Sequence, residues 1–231
     1  MVGVRTESYA AYAAGCEKAR FTEWLRERSE PAWTEAVDHR FTRELGEGTI
    51  DDEVFARYLV QDYAFVDTLV SLVGYGVGDA PTMAEKRRLV EFLDAITDDE
   101  DDYFARSFDA LSVPENDRVD PRKHAVTAGF EDLLLRAARE GGYAETLAVL
   151  VPVEWVYLEW ATAVEEYPEP FYLAEWVELH DDPGFEAVVT WLREQLDSEG
   201  PTLSPRRQER VAGLFTRAVE YEVAFFEMVY E

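Results

Sequence analysis

Between Glu145 and Glu165 only two side chains carry charge, Glu154 and Glu159, and the rest of the segment is apolar nearly all round. A helix without a polar face has to be surrounded by other elements, so this stretch predicts a central buried rod over 143–166. Pro152 lies inside it, where it removes one hydrogen bond, frees a carbonyl and favours a kink. The helices around such a rod announce themselves by their starts. Thr82 to Glu85 after Pro81 reads as a capping box. Asp120-Pro121, Asp182-Pro183 and Ser204-Pro205 each place a side-chain acceptor before a first-turn proline. No run alternates apolar and polar residues between hairpin turns, so strands are not expected. The expected helices are 20–30, 31–45, 51–75, 82–110 with a break near Asp98, 121–140, 143–166, 170–180 with 183–198, and 204–230. Glycines end one helix at Gly46 and Gly48 and loosen another over 74–78. The fold class is all-α, a single helical bundle over 20–231, preceded by a weakly patterned amino-terminal arm over 1–19.

With 231 residues the chain has room for one sizeable core but not for two ordinary catalytic domains. Its charge narrows the function. Forty-nine Asp and Glu against 22 Lys and Arg give a net charge of -27. Phosphates would meet a surface of like sign, so nucleic acid and anionic membranes are not expected partners. Lysine occurs only at positions 18, 86 and 123. Abundant carboxylates with so little lysine point to a halophilic setting, where salt screens self-repulsion. The opening segment lacks the pattern of a signal peptide, and the longest uncharged stretch near the middle, Thr68 to Gly78, is far short of a bilayer span, so the expected location is cytoplasmic. One cysteine, Cys16, excludes an intrachain disulfide or a cysteine-rich metal site.

Three acids break otherwise apolar stripes. On the helix over 51–75 the stripe Phe55, Leu59, Val66, Leu69 and Val73 holds Asp62. On the last helix, Val211, Phe215, Val219, Phe225 and Phe226 hold Glu222. On the central helix, Glu154 shares a face with Leu147, Leu150, Val151, Tyr157 and Leu158. A buried carboxylate without a partner costs on the order of several kcal/mol or takes up a proton. Singly, each acid has a plain reading as half of an ion pair that fixes helix register. Jointly, Asp62, Glu154 and Glu222 describe a shared polar pocket. Phe65, Phe130, Trp155, Tyr157, Trp160, Phe225 and Phe226 gather at neighbouring positions. Aromatic faces plus carboxylates suit a flat heteroaromatic ring bearing amino groups. The three histidines, His39, His124 and His180, include none with a glutamate three residues earlier, so a bundle di-iron site is not expected. There is no glycine-rich phosphate loop and no nucleophile elbow. No metal and no cofactor is expected.

These residues resemble the TenA/thiaminase II family over roughly 20–230. His39-Arg-Phe41 followed by Leu45-Gly-Glu-Gly-Thr49 is similar to the family's opening helix and Gly-Thr turn. Phe55-Ala-Arg-Tyr-Leu-Val-Gln-Asp62 resembles its Gln-Asp helix. Leu150-Val-Pro-Val-Glu-Trp-Val-Tyr157 resembles its proline-cysteine helix, and Glu222 with Phe225 to Tyr230 its last helix. The resemblance implies a haem-oxygenase-like bundle, a homotetramer, and cleavage of aminopyrimidines in thiamin salvage. It places Asp62 on the pyrimidine, Glu222 as catalytic glutamate and Tyr157 as the tyrosine after the proline motif. It also assigns Phe65, Phe130 and His180 to positions held by pocket tyrosines, and Val153 to that of a nucleophilic cysteine. The chain is therefore similar to the branch that lacks the cysteine and uses a pair of glutamates, with Glu154 as the candidate partner of Glu222. Covalent displacement is then replaced by hydrolysis of an amine or formamide, with Glu222 as base and Glu154 as acid. The alternatives are a non-catalytic pyrimidine-binding or regulatory protein, a structural bundle with satisfied acids, and a metal-dependent oxidase.

Overall fold

The computed structural model describes residues 8–231, with the side chains of all of these but 98–101. The elements run α1 (Tyr9–Gly15), α2 (Phe21–Arg28), α3 (Ala32–Val37), α4 (Arg40–Gly46), α5 (Asp52–Asp79), α6 (Met83–Ala110), α7 (Glu115–Val119), α8 (Ala125–Glu140), α9 (Tyr143–Ala161), α10 (Phe171–Asp181), α11 (Pro183–Glu199) and α12 (Pro205–Glu227). Short 3-10 turns follow α11 and α12. There is no strand among the described residues, and no helix there is long and apolar enough to cross a membrane.

The central rod is α9. Every residue from Tyr143 to Tyr157 is buried, and the helix continues through Pro152. It packs against α5, α8, α10, α11 and α12, which surround it. Its amino-terminal acid, Glu145, is held by two bonds from Arg207 of α12, at 2.9 and 2.6 Å. Glu159 receives the Arg26 guanidinium at 3.0 Å. These two acids are the ordinary, paired kind.

Several starts fall where the side-chain acceptors stand. The Asp51 carboxylate accepts from the Glu53 amide, Thr82 and Glu85 form the reciprocal capping box, and Asp182 caps α11 through the Gly184 amide. Other boundaries depart from expectation for local reasons. The run 31–45 is two helices, because the His39 ring accepts from the Phe41 amide at 3.1 Å and starts α4 afresh. Thr42 seals the break by donating to the Val37 carbonyl at 2.8 Å. Asp120-Pro121 does not open a helix; α8 begins later, capped by His124, and the short α7 precedes that linker. The central helix stops at Ala161 rather than 166.

The glycines over 74–78 do not loosen α5, which continues to Asp79. A Cβ at Gly76 would make ordinary contact with Leu89 of α6 at 3.4 Å, so the helix does not depend on a glycine there. The helix over 83–110 is unbroken near Asp98. Within the expected arm, residues 1–7 lie outside the described residues, but Tyr9–Gly15 forms α1. The Tyr9 ring sits 4.9 Å from Phe21 and 5.6 Å from Trp24.

Candidate active site

The long α5, the central α9 and the last helix α12 each deliver one acid to the same cavity. Asp62, Glu154 and Glu222 all line it, together with Val153, Tyr157, Phe65, Phe130, Phe225, Trp176 and His180. Its volume is about 850 Å³. Asp62 is 8% exposed, Glu154 6% and Glu222 2%. No arginine, lysine or histidine forms an ion pair with any of the three among the described residues. They therefore differ from Glu145 and Glu159 on the central helix, whose charges are compensated.

Without a counter-charge, burial keeps protons on these acids. Desolvation pushes Asp62 up to about 7, with a hydrogen bond from Tyr58 holding it down somewhat. Desolvation and then the negative charge of Asp62 push Glu154 up to about 8. Glu222 is raised well above the carboxylate range by desolvation, then by Asp62 and Glu154. The three feel one another, so their protons leave as a coupled set. Glu154 Oε1 is buried with no hydrogen-bond partner at all. An orphaned carboxylate oxygen on a cavity wall is a position a ligand donor would satisfy.

The walls are aromatic. Phe65 and Phe130 lie 5.0 Å apart, and Phe225 is 5.8 Å from Phe65. Trp176 of α10 packs on Tyr103 of α6 at 5.2 Å. His180 stands 4.9 Å from Tyr157 and 4.6 Å from Trp176. Burial lowers its pKa to about 4, so the ring is neutral at neutral pH. Its Nδ1 lies 2.8 Å from the Trp176 carbonyl. A carbonyl only accepts, which places the ring proton on Nδ1 and leaves Nε2 as an acceptor.

All eight side chains singled out from the sequence line this cavity. Three of the aromatics grouped with them do not. Trp155 lies against Trp33 at 4.6 Å and under the Arg193 guanidinium at 3.6 Å. Phe226 stacks on Phe41 at 5.0 Å, and Trp160 stays in the core behind Tyr157. The sequence reading also passed over Tyr58. Its hydroxyl lies 2.7 Å from that of Tyr157 and 3.3 Å from Asp62 Oδ1. The signal was its place one turn before Asp62 on the same face. Cys16 is exposed on the amino-terminal segment, away from these walls. No group of three or more His, Cys, Asp or Glu side chains is placed to hold a metal ion among the described residues.

An aromatic-walled cavity with uncompensated acids from three helices defines a small-molecule site inside an all-α bundle. The chain belongs to the TENA/THI-4/PQQC family, whose sequence model matches residues 26–231. It is 25% identical over 217 residues to an aminopyrimidine aminohydrolase of Halalkalibacterium halodurans, covering 91% of this chain and 95% of that one. An aminopyrimidine aminohydrolase of Helicobacter pylori is 22% identical over 213 residues, covering 91% and 98%. Among solved structures, a TenA homologue from Pyrococcus horikoshii superposes with a TM-score of 0.82 at 24% identity, over 92% of this chain and 99% of that one. A TenA family transcription regulator from a Silicibacter species gives 0.83 at 24% identity, over 91% and 96%. These structural likenesses establish the bundle.

Proposed function

We propose that this protein is an aminopyrimidine hydrolase of thiamin salvage, breaking a C–N bond of an amino- or formylamino-pyrimidine by glutamate acid–base chemistry. The observation that carries the reading is the convergence of three unpaired acids on one aromatic cavity, with Val153 beside Glu154 on its wall. The names of the curated relatives support the same reaction class.

In this reading Asp62 accepts from the exocyclic amine of the pyrimidine, and Phe65, Phe130 and Phe225 hold the ring faces. Water attacks the scissile carbon while Glu222 takes its proton. Glu154 gives a proton to the departing amine, and Tyr157 orients the reacting groups. Two buried carboxyls in one site titrate apart, which supplies one acid and one base. The burial that raises Glu222 also makes it a strong base once ionised. Val153 leaves no thiol for a covalent intermediate, so hydrolysis is direct. The reading extends to a homotetramer in a salt-rich cytoplasm. Light scattering and activity against salt concentration test those two points.

The experiment is chromatography of products from formylaminopyrimidine and aminopyrimidine. Wild type releases the amine or its hydrolysed product. Glu222→Gln is expected to lower kcat by roughly 10²–10⁴-fold. Unchanged kcat in that variant refutes the acid–base assignment. Binding without turnover by wild type would make the protein a pyrimidine sensor instead.

A further inference from the structure

Tyr58 is fully buried on α5 and is not among the residues lining the cavity, yet it sits between two side chains that are. Its hydroxyl lies 2.7 Å from the Tyr157 hydroxyl and 3.3 Å from Asp62 Oδ1. One hydroxyl has one proton, so Tyr58 donates to one of these neighbours at a time. An ionised Asp62 only accepts. Tyr58 must then donate to it and accept from Tyr157, whose own proton is turned inward. Tyr157 is left with lone pairs for the cavity. When Asp62 carries its proton on Oδ1, the chain runs the other way. Asp62 donates to Tyr58, Tyr58 to Tyr157, and the Tyr157 proton is free for the cavity.

We infer that Tyr58 is a positioning residue that carries the charge state of Asp62 to Tyr157, so that the Tyr157 hydroxyl accepts from substrate when Asp62 is ionised and donates when Asp62 is neutral. The site thereby ties recognition at the ring amine to hydrogen-bond polarity at Tyr157. The substrate it serves rests on the pyrimidine reading above; the relay itself does not. Other titratable groups face this chain: Glu154 from α9, Glu222 from α12, Tyr103 from α6, and His180 from α10, whose ring packs on Tyr157. Phe41 of α4 closes the remaining side at 4.4 Å from the Tyr58 ring and adds no charge. Burial keeps both glutamates protonated while Asp62 titrates, in every variant below. They therefore contribute equally to each comparison.

The test has two arms. In the first, ¹³C-carboxyl aspartate labelling follows the Asp62 titration in unliganded protein, its resonance assigned by loss in Asp62→Asn. Tyr58→Phe is expected to raise the midpoint by roughly one pH unit, since it removes the donor to the carboxylate. Tyr157→Phe, one bond further away, is expected to raise it by a smaller amount, because hydrogen bonds in a chain strengthen one another. The double variant should match Tyr58→Phe alone. A midpoint unmoved by Tyr157→Phe overturns the relay, and this variant decides alone should Tyr58→Phe not fold. In the second arm, formylaminopyrimidine turnover is measured for the same set. Each single variant is expected to lose about tenfold or more in kcat, with the double variant within about twofold of the worse single. Losses that multiply overturn the relay. If wild type does not turn over this compound, the pyrimidine reading fails while the titration still judges the relay.

Discussion

Replacing Glu154 by glutamine is expected to stabilise the protein in a way that grows with pH. The carboxyl has no ionic partner and one oxygen with no hydrogen bond at all. Burial moves its pKa from 4.5 to about 8. A group raised in this way leaves folding unpenalised below the unfolded value. Stability is then lost as pH rises, because the unfolded chain releases the proton and the folded one holds it. The loss is complete once pH passes the folded value. From about pH 5 to about pH 8 the linkage amounts to about 3 kcal/mol for this one group. Glutamine does not titrate, so the variant escapes that loss.

The assay is urea unfolding of wild type and Glu154→Gln at both pH values in about 1 M salt, where the Debye length is about 3 Å and surface repulsion is screened. Asp62 and Glu222 titrate in both proteins and largely cancel in the difference. The stability gap between variant and wild type should widen by about 3 kcal/mol toward pH 8, while turnover falls. A gap that stays constant within about 1 kcal/mol refutes the reasoning, since it would mean that Glu154 is solvated or paired in solution.

Two further outcomes follow from the same geometry. The profile of kcat/KM against pH should be a bell. Activity falls on the acid side as Asp62 takes a proton near 7 and burial holds the base Glu222 protonated, and above about 8 as Glu154 loses the proton it donates; a flat profile across that window contradicts these roles. Arg207→Ala should lower stability by roughly 3 kcal/mol in a denaturant melt, because Glu145 is then a buried charge without a partner; a change below about 1 kcal/mol would show that solvent reaches Glu145.

The acids of the cavity were legible because each interrupts a periodic apolar stripe, and periodicity fixes the face on which the interruption lies. Asp62 and Glu222 stand on amphipathic helices, where that logic is direct. The central helix was harder. Apolar all round, it has no face that periodicity can point inward, so Trp155 read as a wall of the cavity when it belongs to a cluster with Trp33 and Arg193. Phe226 sits one residue past Phe225 and so turns away to Phe41. Tyr58 was missed because a tyrosine on an apolar face reads as core, and its hydroxyl partner comes from a helix about a hundred residues later in the chain. The break between α3 and α4 was hidden because histidine is not among the favoured capping residues, so only geometry shows the His39 ring taking that part. The α9 terminus and the short α7 depend on packing and loop geometry that no local pattern encodes.

The central claim is that acids from three helices share one pyrimidine. It is tested most directly by a crystal structure of the protein with 4-amino-2-methylpyrimidine bound. The expected result is a ring between the phenylalanines, its amine within hydrogen-bond distance of Asp62, and Glu154 and Glu222 flanking the substituent that reacts. A ring bound elsewhere, or a cavity left closed by acids turned outward onto arginines, would contradict it.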